Sequence, residues 1–314
     1  MSKIEKALRK ARQDGTQTTR ALVQATTTAG AEHQPLGVDT TTRAVEALSN
    51  NTEITLMNQP TSLDSQERLA RKIIYPEATE SATIKALREI RTKITQKTAS
   101  SNCVIMVTGA SVDSGATFVT VNLAAAFALD AARTSLVIDC NIRDPYLHNL
   151  VSGEMKAGLT NYLTDNGRDI ADIIMPTGIE RLRVIPAGVN IDPTVEYFTM
   201  DRMKRLVRSV RERYPDRHIL LDCPPLARSA DTQILLELCD YVLVVVPYAR
   251  ITPAKLQTAL KLIESRKLLG VIINKEPRLP TISWMAALYS LVSGLSRRMD
   301  HIVMSIKTRM SRSN

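Results

Sequence analysis

The fold is most constrained by an apolar run that leads directly into a glycine loop and then a helix. Residues 103–108 read Cys-Val-Ile-Met-Val-Thr, which suits a buried strand. The loop at 109–117 reads Gly-Ala-Ser-Val-Asp-Ser-Gly-Ala-Thr, and residues 118–129 have the apolar spacing of a helix. This order resembles the G-x-x-x-x-G-K-[ST] loop, in which backbone N–H groups and the helix N-terminus surround a phosphate. The pattern therefore predicts a phosphate-binding loop.

The loop lacks the lysine of that pattern, because Ala116 stands at its position. We expect Gly109, Ser114, Gly115 and Ala116 to form the backbone cradle, and the Thr117 hydroxyl to hold Mg²⁺ if the metal binds. A charge-assisted hydrogen bond contributes about 1.5–3 kcal/mol. Losing it weakens ATP binding by roughly tenfold to a hundredfold. ATP or ADP with Mg²⁺ is therefore expected to bind weakly or not at all.

Two carboxylates end apolar strands beside this loop. Asp139 follows the run at 134–138, and Asp222 ends the run at 218–222. Carboxylates at that edge of a sheet can hold Mg²⁺ or position a water, so both are residual candidates for catalytic and metal-binding roles. The alternative is that they are structural caps of the segments that follow. No other catalytic residue is expected.

The segment from 103 to 274 alternates strand and helix patterns. Near-continuous apolar runs predict strands at 103–108, 134–138, 182–186, 218–222, 240–247 and 269–274, with helices at 118–130, 199–213 and 253–267. The expected fold is α/β: a doubly wound, mostly parallel sheet of P-loop NTPase type with helices on both faces.

The rest of the chain divides by composition. We predict a basic amphipathic helix at 1–12, a flexible linker at 13–64, the α/β domain at 65–278 and a basic amphipathic helix at 279–314. No run of 18 apolar residues occurs, and the first residues lack the apolar core of a signal peptide. We therefore expect a cytoplasmic protein.

The net charge of +9 permits nucleic acid, an anionic membrane surface or an acidic protein as partner. Nucleic acid is not expected, because no recognition-helix motif and no aromatic-interleaved basic patch occurs. The terminal basic segments favour a peripheral position at the inner face of the cytoplasmic membrane.

Several motifs together resemble the bacterial tyrosine autokinases of capsule and exopolysaccharide synthesis, P-loop proteins related to the MinD/ParA ATPases. The matching segments are Val107–Thr117 as Walker A, Val137–Pro145 as the second Asp motif, Leu220–Pro225 as Walker B, Val184–Gly188, Asp231 and Gly270–Asn274. The resemblance covers about 82 to 275. It implies a membrane-bound chain-length, polymerase or synthase component as partner.

The chain departs from this family at four elements of autokinase action. The loop has Ala116 for lysine, the Asp-x-Asp motif ends in Asn141, the Glu of a Glu-x-x-Arg-x-x-Arg ring contact is Lys85, and the tail holds one tyrosine, Tyr289. We therefore expect a degenerate member that does not turn over ATP: a regulatory or scaffolding subunit of polysaccharide assembly. Two alternatives stay open, an active tyrosine autokinase and a MinD/ParA-like membrane-associated positioning protein. The oligomeric state is left open.

Overall fold

The computed structural model describes residues 63–71, 73, 82–98, 102–192, 196–199, 201–214, 216–226, 230–276 and 302–307, the last of these by backbone alone. The helix predicted at 1–12 lies outside the described residues. So does all but the end of the linker predicted at 13–64.

One sheet organises the described part of the chain. Its strands are β1 (Val104–Gly109), β2 (Thr134–Asp139), β3 (Met175–Pro176), β4 (Leu182–Ile185), β5 (Arg217–Asp222), β6 (Tyr241–Pro247), β7 (Leu268–Glu276) and β8 (Ile302–Lys307). Their order is β3-β4-β2-β5-β1-β6-β7-β8. Every neighbouring pair is parallel except β3 and β4. The predicted α/β sheet is confirmed, and β1 lies near its centre.

Helices alternate with these strands, as the sequence predicts. They are α1 (Ser65–Ala70), α2 (Ala82–Thr98), α3 (Ala116–Ala128), α4 (Leu159–Thr164), α5 (Asp201–Arg213), α6 (Ala230–Leu238) and α7 (Pro253–Leu260). Short 3₁₀ turns occur at Leu147–Leu150, Ile170–Ile173 and Tyr197–Thr199. Helix α7 begins where Thr252 accepts a hydrogen bond from the Lys255 N–H and Pro253 fills the first turn.

The two faces of the sheet carry separate apolar clusters. Ile105 packs with Leu87 and Ile90 of α2 and Leu123 of α3 on one face. Its neighbour Met106 belongs to the cluster on the other face, with residues of α5, α6 and α7. Successive strand residues point to opposite faces, so a continuous apolar strand serves both clusters.

The structure differs from the sequence prediction at 302–307. A helix is expected there, but these residues form β8, which pairs with β7 so that Ile302 lies opposite Gly270. Adjacent Ile302 and Val303 are β-branched and suit a strand, and pairing with the sheet edge overrides the helical spacing. The helix predicted for 279–314 is therefore wrong at these six residues. The rest of that tail lies outside the described residues.

Candidate functional site

The loop between β1 and α3 opens at the carboxyl edge of the sheet. Strand β1 ends at Gly109, and α3 begins at Ala116 behind Gly115, whose φ of 81° is left-handed. Four residues separate Ala110 from Gly115, so the eight-residue phosphate-loop pattern begins at Ala110 and not at Gly109. The N–H groups of the first turn of α3 face this loop end without intrahelical partners, which suits an anion.

Both loop glycines are required by close contacts. A Cβ on Gly109 would collide with Ser114 Oγ and lie 2.7 Å from the Ser111 carbonyl oxygen. A Cβ on Gly115 would collide with Asn274 Nδ2, at a φ that a side chain rarely adopts. The tight loop therefore requires glycine, which has no side chain, at both positions.

The loop borders a cleft of about 500 Å³. Its lining comprises Gly109, Ser111, Val112, Asp113, Ser114, Gly115, Ala116 and Thr117 from the loop, Asn141, Arg143 and Asp144 after β2, and Cys223, Pro224 and Pro225 after β5. The four cradle residues predicted from the sequence and Thr117 thus share this cleft. Arg143 is the one cationic side chain in the lining that the described residues provide.

The Asp139 carboxylate is hydrogen-bonded to the backbone that follows it. Its carboxylate accepts hydrogen bonds from the N–H groups of Asn141 at 3.2 Å, Tyr146 at 3.0 Å and Leu147 at 2.9 Å. It is fully buried, and burial raises its pKa to about 6 against the lowering effect of these N–H donors. This arrangement caps the 3₁₀ turn at Leu147–Leu150.

Asp222 lies opposite Asp139 in the register of β2 and β5, and it is less fully satisfied. Its Oδ1 accepts a hydrogen bond from the Thr120 hydroxyl at 3.2 Å, whereas Oδ2 is buried without a partner of hydrogen-bond geometry. Burial and the charge of Asp139 raise its pKa to about 8, although the nearby hydroxyls of Thr117 and Thr120 lower it. The two predicted carboxylates and Thr117 are thus brought together.

The end of β7 supplies two loop contacts that the sequence analysis did not assign. Asn274 Nδ2 donates to the Ser114 carbonyl oxygen at 2.9 Å, and Lys275 Nζ donates to the Asp113 carbonyl oxygen at 2.6 Å. The signals in the sequence are the family match of Gly270–Asn274 and the polar Asn-Lys pair at the end of an apolar strand, and neither specifies a contact with the loop.

Comparisons with known proteins agree with this geometry. The AAA_31 family model, described as AAA domain, matches residues 102–272, more than half of the chain. Tyrosine-protein kinase CpsD of Streptococcus agalactiae is 31% identical over 198 residues, covering 59% of this chain and 79% of that protein. This chain belongs to the AAA-domain family of bacterial tyrosine-protein kinases.

A longer relative and two solved structures complete the comparison. Tyrosine-protein kinase wzc of Salmonella typhimurium is 32% identical over 61% of this chain, which spans only 26% of that protein. The kinase domain of Escherichia coli tyrosine kinase ETK superposes with a TM-score of 0.58 at 24% identity, over 71% of this chain and 92% of that one. The cell division ATPase MinD of Pyrococcus furiosus gives a TM-score of 0.50 at 20% identity, over 60% of this chain and 79% of that one. Both structures show the shared fold alone.

One arginine of helix α2 forms a hydrogen bond with the neighbouring helix α3. Arg91 Nη1 donates to the Ala126 carbonyl oxygen in the last turn of α3 at 2.8 Å. A cation at the C-terminal end of a helix satisfies a free carbonyl and the helix dipole. Arg88, one turn earlier, borders a small apolar cavity between α2 and α3. Arg91 therefore has a structural partner within its own chain.

The residues of the site fit a nucleotide phosphate only in part. The glycine backbone and the start of α3 suit an anion, and the unpartnered Asp222 Oδ2 beside Thr117 suits a water or a metal ion. Position 116, in contrast, offers only a methyl group, which packs against the apolar cluster of α3. The site thus keeps the backbone that would surround a phosphate and lacks the lysine that would bind it.

Proposed function

We propose that this protein is a non-catalytic regulatory or scaffolding component of exopolysaccharide or capsule synthesis and export. Its domain is that of the tyrosine-protein kinases, but its site binds nucleotide weakly and does not transfer phosphate. The observation that carries this proposal is the intact backbone cradle in front of Ala116, where the family pattern requires lysine.

The polar groups of the site support the loss of catalysis. ATP would supply a transferable γ-phosphoryl group when bound, and phosphoryl transfer depends on cations that stabilise charge on its oxygens. Ala116 supplies no such cation. Asp139 is held by three backbone N–H groups, so its carboxylate oxygens are already used by the protein's own backbone.

Polysaccharide assembly is inferred from the family resemblance. We propose docking on a membrane-bound chain-length, polymerase or synthase component, at the inner face of the cytoplasmic membrane. The basic segment at 1–12, and the part of 279–314 that lies outside β8, would approach the anionic surface. None of the helices in the described residues is long and apolar enough to cross a bilayer.

An active tyrosine autokinase is the second candidate. The observation in its favour is the close grouping of Thr117, Asp139 and Asp222 under an intact loop. A MinD-like positioning role has only the fold similarity in its support.

Gene replacement in the bacterium that makes this chain tests the proposal. Deletion is expected to shorten or abolish the polysaccharide, whereas Asp222→Asn at the same locus leaves its amount and chain length unchanged. An Asp222→Asn phenotype as severe as the deletion, in a protein present at normal levels, would favour the autokinase. Tyrosine phosphorylation of the purified protein is measured directly by anti-phosphotyrosine blots. We expect no signal.

A further inference from the structure

The outer side of the phosphate loop is held by two consecutive residues of β7. Asn274 binds the Ser114 carbonyl oxygen and Lys275 binds the Asp113 carbonyl oxygen, so two successive loop carbonyls are fixed. The Lys275 side chain also runs along Gly115, since its Cε would lie 3.8 Å from a Cβ placed there. Contacts spanning about 160 residues of sequence therefore define the loop's shape.

Holding these carbonyls also directs the loop's donors. In a planar trans peptide, the C=O of one residue and the N–H of the next point in opposite directions. A bond from β7 to the Asp113 carbonyl thus turns the Ser114 N–H away from β7, and the bond to the Ser114 carbonyl does the same for the Gly115 N–H. Both N–H groups are directed away from the strand, and the cleft lies along these same residues. This is the arrangement of an anion-binding nest.

The backbone at both ends of the lysine contact is unusual. Lys275 has φ of 62° and Asp113 has φ of 56°, in the left-handed region that residues other than glycine seldom adopt. The Lys275 N–H donates to Asn274 Oδ1 at 2.9 Å, which fixes this turn at the end of the strand. Such conformations persist where the surrounding contacts determine them, and they concentrate at functional sites.

We propose that Lys275 is the cation that replaces the missing loop lysine. It acts as a positioning residue from behind the loop: its ammonium group fixes the Asp113 carbonyl, and its charge adds to the anion cradle. Lys275 Nζ lies 2.6 Å from the carbonyl oxygen of Asp113, and Asp113 itself lines the cleft, so the positive charge stands directly beside the loop. This inference rests on the proposed nucleotide site.

Lys267 provides a matched control. It precedes β7, and its Nζ donates to the Leu236 carbonyl oxygen at 2.6 Å, the same type and length of bond as that of Lys275. It lies at the opposite end of β7 from the loop. Lys267→Met and Lys275→Met therefore remove the same charge and the same bond at opposite ends of one strand.

The test is a double-mutant cycle on ATP and ADP affinity, measured by calorimetric titration of the full chain. Lys275→Met is expected to weaken ATP binding about tenfold, Lys267→Met less than about twofold, and Lys275→Arg to retain most of the affinity.

Ala116→Lys is expected to strengthen binding by about tenfold or more. In the Ala116→Lys background, Lys275→Met should cost only about twofold to threefold, because the charge is no longer needed. In the free protein, Lys275→Met should also speed hydrogen exchange at the Ser114 and Gly115 amides.

Three results would overturn this inference. One is an unchanged affinity in a folded Lys275→Met protein. Another is an equal loss in both backgrounds, which would reduce Lys275 to a support of loop shape. The third is that the natural chain does not bind ATP at millimolar concentration whereas the Ala116→Lys variant does. Lys275 would then not replace the missing loop lysine. The proposed non-catalytic function would survive all three, because it is contradicted by Asp222-dependent phosphoryl transfer or by the gene-replacement result and not by a change in the effect of Lys275.

Discussion

The two ends of the sheet use charged side chains in different ways. At the amino end, Arg217 is buried, donates to the Thr134 hydroxyl at 3.2 Å and stacks on the Tyr214 ring, while Lys267 caps the last turn of α6. At the carboxyl end, Lys275 donates instead to a loop between a strand and a helix. The amino-end contacts join elements of the core. The carboxyl-end contacts fix two carbonyls of the loop between β1 and α3, so the same type of bond joins core elements at one end and holds the proposed binding loop at the other.

The largest expected effect comes from breaking the contact between the loop and β7. Gly115→Ala places a Cβ against Asn274 Nδ2 at a left-handed φ, so we expect the free energy of unfolding to fall by about 2–3 kcal/mol. Gly153→Ala is the matched control, because Gly153 also has positive φ but nothing within 4 Å of its Cβ position, and it should cost about 1 kcal/mol. Urea unfolding of both variants measures the difference. Equal losses would mean that Asn274 does not constrain the loop.

A smaller effect is expected from pH. The pKa of Asp222 is raised to about 8, so its folded carboxyl is protonated at pH 6.5 while the unfolded one is ionised. Stability should therefore fall as pH rises from 6.5 to 8.5, by about 1–2 kcal/mol. At the opposite end of β5, burial lowers the pKa of His218 to about 4. Because the unfolded histidine takes up a proton only below about pH 6.5, His218 reduces stability below that pH and contributes little between pH 6.5 and 8.5.

Asp222→Asn is the control for that pH profile. It removes the titrating group with little change of shape, so stability between pH 6.5 and 8.5 should become nearly flat. A slope that persists in Asp222→Asn would assign the titration to another group, and the comparison between the two ends of β5 would fail.

Much of the fold follows from the sequence because its signals are local. The apolar runs locate β1, β2 and β4 through β7. Strand β8 is missed, because residues with helical spacing pair instead with the edge of the sheet. Tertiary pairing is not encoded in a local period.

The site follows the same rule. The loop and the strand-end carboxylates Asp139 and Asp222 can be placed from sequence, since parallel strands bring their carboxyl ends to one edge. The contact of Lys275 with Asp113 cannot, because 162 residues separate them. The backbone bonds that occupy Asp139 depend on the path of the chain after β2, which no motif specifies.

The central claim, a phosphate cradle without phosphoryl transfer, is tested most directly by a single-turnover assay. Protein in excess is mixed with γ-labelled ATP and Mg²⁺, and released phosphate and labelled protein are followed together. We predict that bound ATP is detected while phosphate release stays at the rate without protein and no tyrosine is labelled. Release or labelling that exceeds this background and disappears in Asp222→Asn would contradict the account.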